Sequence, residues 1–431
     1  MKFVECLEVY GDERMRWWEM DIPASIAKLL ERAIDMRASD IHVEPQKDGL
    51  RIRFRIDGFL TVIDRIPSEW MWRYVSRLKV MGHLDIGEKR LPQDGAMTIR
   101  HRGEKVDVRI STMPTVHGEK VVLRLLRDRP DGWRLAELGM DEPELSRVTR
   151  LIDRPHGLIV VTGPTGAGKT TTLYAMLREL NRPETNIVTL EDPVEFQMEG
   201  VNQIQIHPKA GFTFAAGLRA VLRQDPNVIM VGEIRDRETA DIAVRAAMTG
   251  HLVLSTLHTP DALGSITRLL DMGVEPYRVA ATLIGAVAQR LVRRVCGSCG
   301  GEGCPDCQQT GYRGRTGVFE VITVDEALSR GIAEGWSSER MRKHLLLRGV
   351  RTIADRVKER AASGLTTLEE CHRVVEFSEE MEVVGGAVGD VQQDARSPAG
   401  KWIPAVARHR DPGGTTGDQS RTGRTDPAKV E

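Results

Sequence analysis

Aromatic residues are scarce, 5% of the 431-residue chain, and the charges nearly cancel, with 61 Lys and Arg against 62 Asp and Glu for a formal net charge of −1. A nucleic-acid motor needs a cationic groove and aromatic stacking platforms, and this composition supplies neither. Stable nucleic-acid binding is therefore not expected. Long apolar runs are missing as well: the longest, about Val279 to Ala288, falls far short of the ~20 residues that cross a bilayer. Any membrane contact is expected to be peripheral. The amino terminus, MKFVECLEVYGDERMRWWEMD, carries acids early and lacks the basic start and apolar core of a secretory signal, which points to a cytoplasmic protein. Cysteine is sparse too. Of six, four fall between Cys296 and Cys307 while Cys6 and Cys371 stand alone, a clustering that suits a metal better than a disulfide framework.

What is present describes a folded protein of more than one unit. Hydrophobic residues at 41% and charged residues at 29% are ordinary for globular chains, and the length exceeds what one compact core usually holds. After a short leader, 1–20, apolar residues recur at helical spacing (Ile26, Leu29, Leu30, Ala33, Ile34) behind Asp21 and Pro23. SDIHVEP, LRIRFRIDGFL, TIR and VDVRIST then alternate apolar and polar residues, with Asp57-Gly58 and His117-Gly118 as turns, so a small α/β domain is predicted over 21–128. The stretch RDRPDG, Arg127 to Gly132, opens a linker or hinge assigned to 129–140. From 141 to 380 the aliphatic runs LIVVT, NIVTL, NVIMV and HLVLST alternate with helical segments, as in a mostly parallel sheet covered on both faces. The last segment, 381–431, is polar and rich in Gly, Pro, Ser and Thr, and is predicted to be disordered.

The strongest chemical signal is GPTGAGKT, which directly follows LIVVT and opens the helical pattern TTLYAMLREL. That context makes Gly163, Pro164, Thr165, Gly166, Ala167, Gly168, Lys169, Thr170 and Thr171 a phosphate-binding loop for ATP. The amides and helix start face an anion, Lys169 reaches the β and γ groups, and Thr170 can hold magnesium. Other strands end in polar residues where ligands of open α/β sheets collect. NIVTL runs into Glu191, Asp192 and Glu195, NVIMV into Glu233 and Arg235, and HLVLST into His258. Phosphoryl transfer to water needs a carboxylate to orient the nucleophile and ligands to complete a magnesium shell, and Glu233 and Glu191 are the candidates. His258 is the third.

In CGSCGGEGCPDCQQTGYRGR two C-x-x-C knuckles offer Cys296, Cys299, Cys304 and Cys307 to a tetrahedral zinc. With four ligands in place no position is left for water, so the site reads as structural. Among the cations, Arg109 and Arg124 lie on strand-like segments either side of the turn His117-Gly118, and Arg219 and Arg223 share one helical face.

These residues together resemble a known family, the secretion ATPases of type II secretion and type IV pilus assembly (general secretion pathway protein E and its relatives). Its carriers are ASDIHVEP, RFRIDG, LPQDG, VDVRIST, GPTGAGKTTT, the aspartate box TLEDPVE, VLRQDPNVIMVGEIRD and the histidine box TGHLVLSTLHT, spread from about Ile26 to Phe377. The resemblance implies a RecA-like P-loop core preceded by a small PAS-like α/β domain, acting as a cytoplasmic homohexamer that drives an inner-membrane platform protein to extrude pilin-like subunits. It also implies that Lys169 binds phosphate, Glu233 acts on magnesium or water, Glu191 and His258 line the site, and Arg109 and Arg124 approach the nucleotide. The chain opens close to the small domain, whereas many relatives carry a larger amino-terminal docking region. Its cysteine pairs also stand closer together than is usual in the family. Pilus, secretion pseudopilus and DNA uptake all stay open at this point, as does the alternative of an ATP-driven nucleic-acid motor with a zinc segment.

Overall fold

A computed structural model describes residues 21–127 and 133–375; the leader 1–20, the first four residues of the expected hinge, 129–132, and the carboxyl-terminal tail lie outside the described residues. The first helix, Ile22–Asp35, starts as its sequence predicts: the Asp21 carboxylate accepts from the Ala24 N–H at 3.1 Å, and Pro23 occupies the first turn. Its buried stripe, Ile26, Leu29, Leu30, Ala33 and Ile34, packs on a sheet.

That sheet contains β1 (Ala38–Gln46), β2 (Gly49–Ile56), β3 (Phe59–Pro67), β4 (Gln93–His101), β5 (Glu104–Thr115) and β6 (Gly118–Arg127). The order is β3-β2-β1-β6-β5-β4 and every neighbouring pair is antiparallel. At the β2–β3 turn Asp57 and Gly58 both take positive φ, 48° and 92°, the handedness a two-residue hairpin loop requires. A second helix, Ser68–Met81, covers the same face through Tyr74, Val75 and Leu78. The register places Arg109 of β5 opposite Arg124 of β6, and Arg124 opposite Asp40 of β1.

The larger sheet holds β7 (Gly157–Thr162), β8 (Ile187–Glu191), β9 (Asn202–Gln205), β10 (Val228–Val231), β11 (Leu252–Leu257), β12 (Leu283–Val295) and β13 (Tyr312–Thr323). Its order is β13-β12-β7-β11-β10-β8-β9, parallel throughout except for β13 against β12. Strand periodicity explains the continuous aliphatic runs. In β7, Leu158 and Val160 enter the core on one face while Ile159 and Val161 enter the core on the other. The four runs read from the sequence become β7, β8, β10 and β11, which lie side by side so that their carboxyl ends form one edge.

Candidate functional site

The loop from Gly163 to Gly168 leaves β7 and enters the helix Lys169–Leu180. Two of its glycines are required by the strand beneath. A Cβ on Gly163 would lie 2.5 Å from the Gln289 carbonyl, and one on Gly168 would lie 2.9 Å from Gln289 Nε2. The Gln289 side chain also accepts from Thr172 Oγ1 at 2.6 Å. Beside it, Arg290 donates to Pro260 O at 2.7 Å, tying β12 to the loop that follows His258. Sequence reading singled out neither residue. The signal was a polar pair, QR, directly after the aliphatic run LIGAVA.

Lys169 is buried and its ammonium donates to the carbonyls of Gly163 and Pro164 at 2.8 and 3.0 Å. Burial lowers its pKa, and Glu233 opposes that effect as an attracting charge. The Glu233 carboxylate, 15% exposed, meets Arg235 Nε at 2.6 Å and His258 Nε2 at 3.6 Å, so β10 and β11 deliver an acid, a guanidinium and an imidazole to one place. His258 is 49% exposed, and desolvation, with Lys169 nearby, lowers its pKa.

The aspartate-box acids differ from one another. Glu191 is 3% exposed and both its oxygens are committed inside the protein. One accepts from the Tyr174 hydroxyl, the other from Thr189 Oγ1 at 2.6 Å and Gln203 Nε2 at 3.1 Å. Glu195, by contrast, keeps an exposed side chain; desolvation raises its pKa, while Arg109, the Thr170 side chain and Arg124 favour its charged form. Arg109 Nη2 donates to Val194 O at 2.6 Å, next to Glu195. Arg124, 65% exposed, is paired with Asp40 at 3.0 Å. Arg219 pairs with Glu238 at 2.7 Å on the surface, and Arg223 donates to the Arg219 carbonyl at 2.8 Å.

A cavity of about 540 Å³ lies where β4 and β5 face the segment Val194–Gln197. The Thr170 hydroxyl and, near Lys169, the Glu233 carboxylate are hard oxygen donors of the kind magnesium takes. The cysteines form a different kind of set. Their four sulfurs lie within 4.8 Å of one another, with Cys296–Cys304 and Cys299–Cys307 at 3.8 Å and Cys304–Cys307 at 3.7 Å. A tetrahedron with Zn–S bonds of ~2.3 Å has edges of ~3.8 Å. Backbone N–H groups of Gly303, Cys304 and Gly311 point at these sulfurs, as thiolates require. The short gap between the pairs is thus compatible with a compact zinc site at the tip of the β12–β13 hairpin. Cys371 is remote from it, buried against the Val357 carbonyl.

The model of the family described as type II/IV secretion system protein matches residues 19–373. The chain is similar to type II secretion system protein HxcR of Pseudomonas aeruginosa, 49% identical over 357 residues that cover 81% of this chain and 76% of that one. It is also similar to type II secretion system ATPase E of Vibrio cholerae, 48% identical over 378 residues, 82% of this chain and 75% of that one. Among solved structures it resembles the pilus retraction motor PilT with bound ADP, with a TM-score of 0.60, 28% identity, and coverage of 83% and 99% of the two chains. The α/β fold, the phosphate loop and these matches agree: the chain belongs to the type II/IV secretion system protein family and is a secretion or pilus motor ATPase.

Proposed function

We propose that the chain assembles as a homohexameric ring at the cytoplasmic face of the inner membrane, hydrolyses ATP with magnesium, and moves a membrane platform protein that extends a pilin-like fibre. The backbone amides of Gly163 to Thr171 wrap the phosphates, and Lys169 leaves its two carbonyl partners to neutralise the β and γ groups. Magnesium, when bound, would offset the charge of the phosphates. Thr170 and Glu233 stand on its side of the site. Glu233 orients the attacking water while His258 and Arg235 hold its carboxylate in place. Glu191, its oxygens already engaged, forms a wall of the site. Arg109 and Arg124 supply positive charge from the small domain, and Cys296, Cys299, Cys304 and Cys307 hold a structural zinc.

The observation that supports this reading most is the bond from Arg109 to Val194, which brings a small-domain cation to the loop beside the nucleotide site of the same chain. The test is stimulation of ATP turnover. Vesicles rich in acidic lipid, or a cytoplasmic fragment of the platform protein, should raise the rate, whereas single-stranded DNA should not. Stimulation by DNA alone would replace the secretion motor by a nucleic-acid motor.

A further inference from the structure

Thr170 and Tyr174 are four residues apart on the helix Lys169–Leu180 and therefore share one face. Both grip the aspartate-box loop. The Tyr174 hydroxyl donates to Glu191 and accepts from the Glu195 backbone N–H at 3.3 Å, while the Thr170 side chain favours the charged form of the Glu195 carboxylate. The Tyr174 ring is buried and meets Phe196 edge-on, with centroids 4.3 Å apart and an interplanar angle of 80°. Glu195 is thereby held at its backbone from the helix that carries the phosphate-loop lysine, with its carboxylate near Thr170. Arg109 reaches the same loop from the small domain through Val194.

We infer that Tyr174 is a positioning residue for ATP hydrolysis, holding the Glu191–Glu195 segment so that the Glu195 carboxylate is presented to Thr170 at the magnesium side of the site. Glu195, the acid of this box whose side chain meets Thr170, is then the group through which Tyr174 acts. The small domain meets the same segment through Arg109. The inference rests on the proposed nucleotide site, and it concerns hydrogen bonds within this chain that exist without nucleotide.

Tyr174→Phe keeps the ring against Phe196 and removes only the hydroxyl. On nucleotide-free protein, amide exchange at Glu195 and its neighbours should accelerate while the peptides of β10 and β11 stay unchanged. In turnover, kcat should fall on the order of 10–100-fold, the size of effect seen when a group that orients a metal ligand is lost. KM and the affinity for a fluorescent ATP analogue should stay within about 2-fold, and half-saturating magnesium should rise. Glu195→Gln should also slow turnover, and the double variant should be little slower than the worse single one, because both remove one device. Unchanged exchange at Glu195, or kinetic losses that multiply in the double variant, would overturn the inference. An unaltered protein that turns over no ATP would instead overturn the proposed site, a result distinct from the exchange measurement.

Discussion

Arg109 and Val194, 85 positions apart in the chain, are joined by a 2.6 Å hydrogen bond from the guanidinium to the backbone oxygen. A second joint lies toward the cysteine tip, where the Gly314 N–H donates to Asp57 Oδ2 at 2.8 Å. Phe59 lies beneath two guanidinium groups there, Arg293 at 3.8 Å and Arg373 at 4.9 Å from the ring centre. The small sheet is thus held to its own chain's larger sheet at two separated points. One point is beside the nucleotide site and the other beside the proposed zinc.

The division of labour in the site predicts different failures for two substitutions. Lys169→Ala removes a cation that acts in the ground state, so nucleotide binding weakens and turnover is lost. Glu233→Gln removes a group needed when water is oriented, so binding persists while hydrolysis stalls. Equilibrium binding of an ATP analogue together with phosphate release separates them. Near-normal turnover by Glu233→Gln would remove that residue from its assigned role.

Protein purified without chelators should hold about one zinc per chain, since a four-thiolate site is complete with a single ion. Metal-bound sulfurs would staple β12 to β13, and β12 also carries Gln289 and Arg290 under the phosphate loop. Chelation should therefore lower the thermal midpoint of the ATPase region, not only of the tip. Elemental analysis without zinc would end this claim.

Loss of the aromatic ring in Phe59→Ala should loosen the second joint by on the order of 1–2 kcal/mol, the range for a cation over a partly desolvated ring. Amide exchange in the β2–β3 turn and around Tyr312 should rise together. If only the turn responds, the two surfaces are not docked through this ring.

Glu320 on β13 is buried, accepts from the N–H groups of Ala262 and Ile353 at 3.2 and 3.0 Å, and has its pKa pushed up to about 7, mainly by burial. In the unfolded chain the same carboxyl loses its proton near its ordinary value of 4.5. Between these values the folded state binds more protons, so this group's contribution to stability falls as pH rises, by on the order of 3 kcal/mol across the window. Compared with Glu320→Gln, the parent should lose thermal midpoint between about pH 5 and pH 8. Parallel midpoints over that range would refute the assignment.

Much of this is legible in the sequence, for reasons that differ between elements. Short-range rules sufficed for the helix cap at Asp21, the Asp57-Gly58 turn and the aliphatic runs of β7, β8, β10 and β11, because each depends on neighbours in sequence. The segment PYRVAATLIGAVAQRLVRRV gave no such signal. Its alanines and branched residues suit helix and strand alike, and it divides into the helix Pro276–Thr282 and β12. The helix Ser68–Met81 was equally hidden: Met71, Tyr74, Val75 and Leu78 keep helical spacing, but the exposed Trp72 and Val80 blur the stripe. In the site, strand-end acids could be located but not ranked. Both oxygens of Glu191 are taken up by Tyr174 and Gln203, from two other stretches of chain, and by Thr189 on its own strand, and that distant pairing could not be read from the sequence.

The central claim is that each small domain serves the nucleotide site of its own chain. Arg109→Ala should bind ATP yet hydrolyse it poorly, on the order of 10³-fold more slowly if the arginine stabilises transferring phosphate. The direct measurement is ATP turnover by rings assembled from mixed Arg109→Ala and Lys169→Ala subunits. Same-chain action leaves every mixed site lacking one group, so activity stays as low as in either variant alone; substantial recovery on mixing would show that Arg109 serves a neighbouring subunit and would contradict the account.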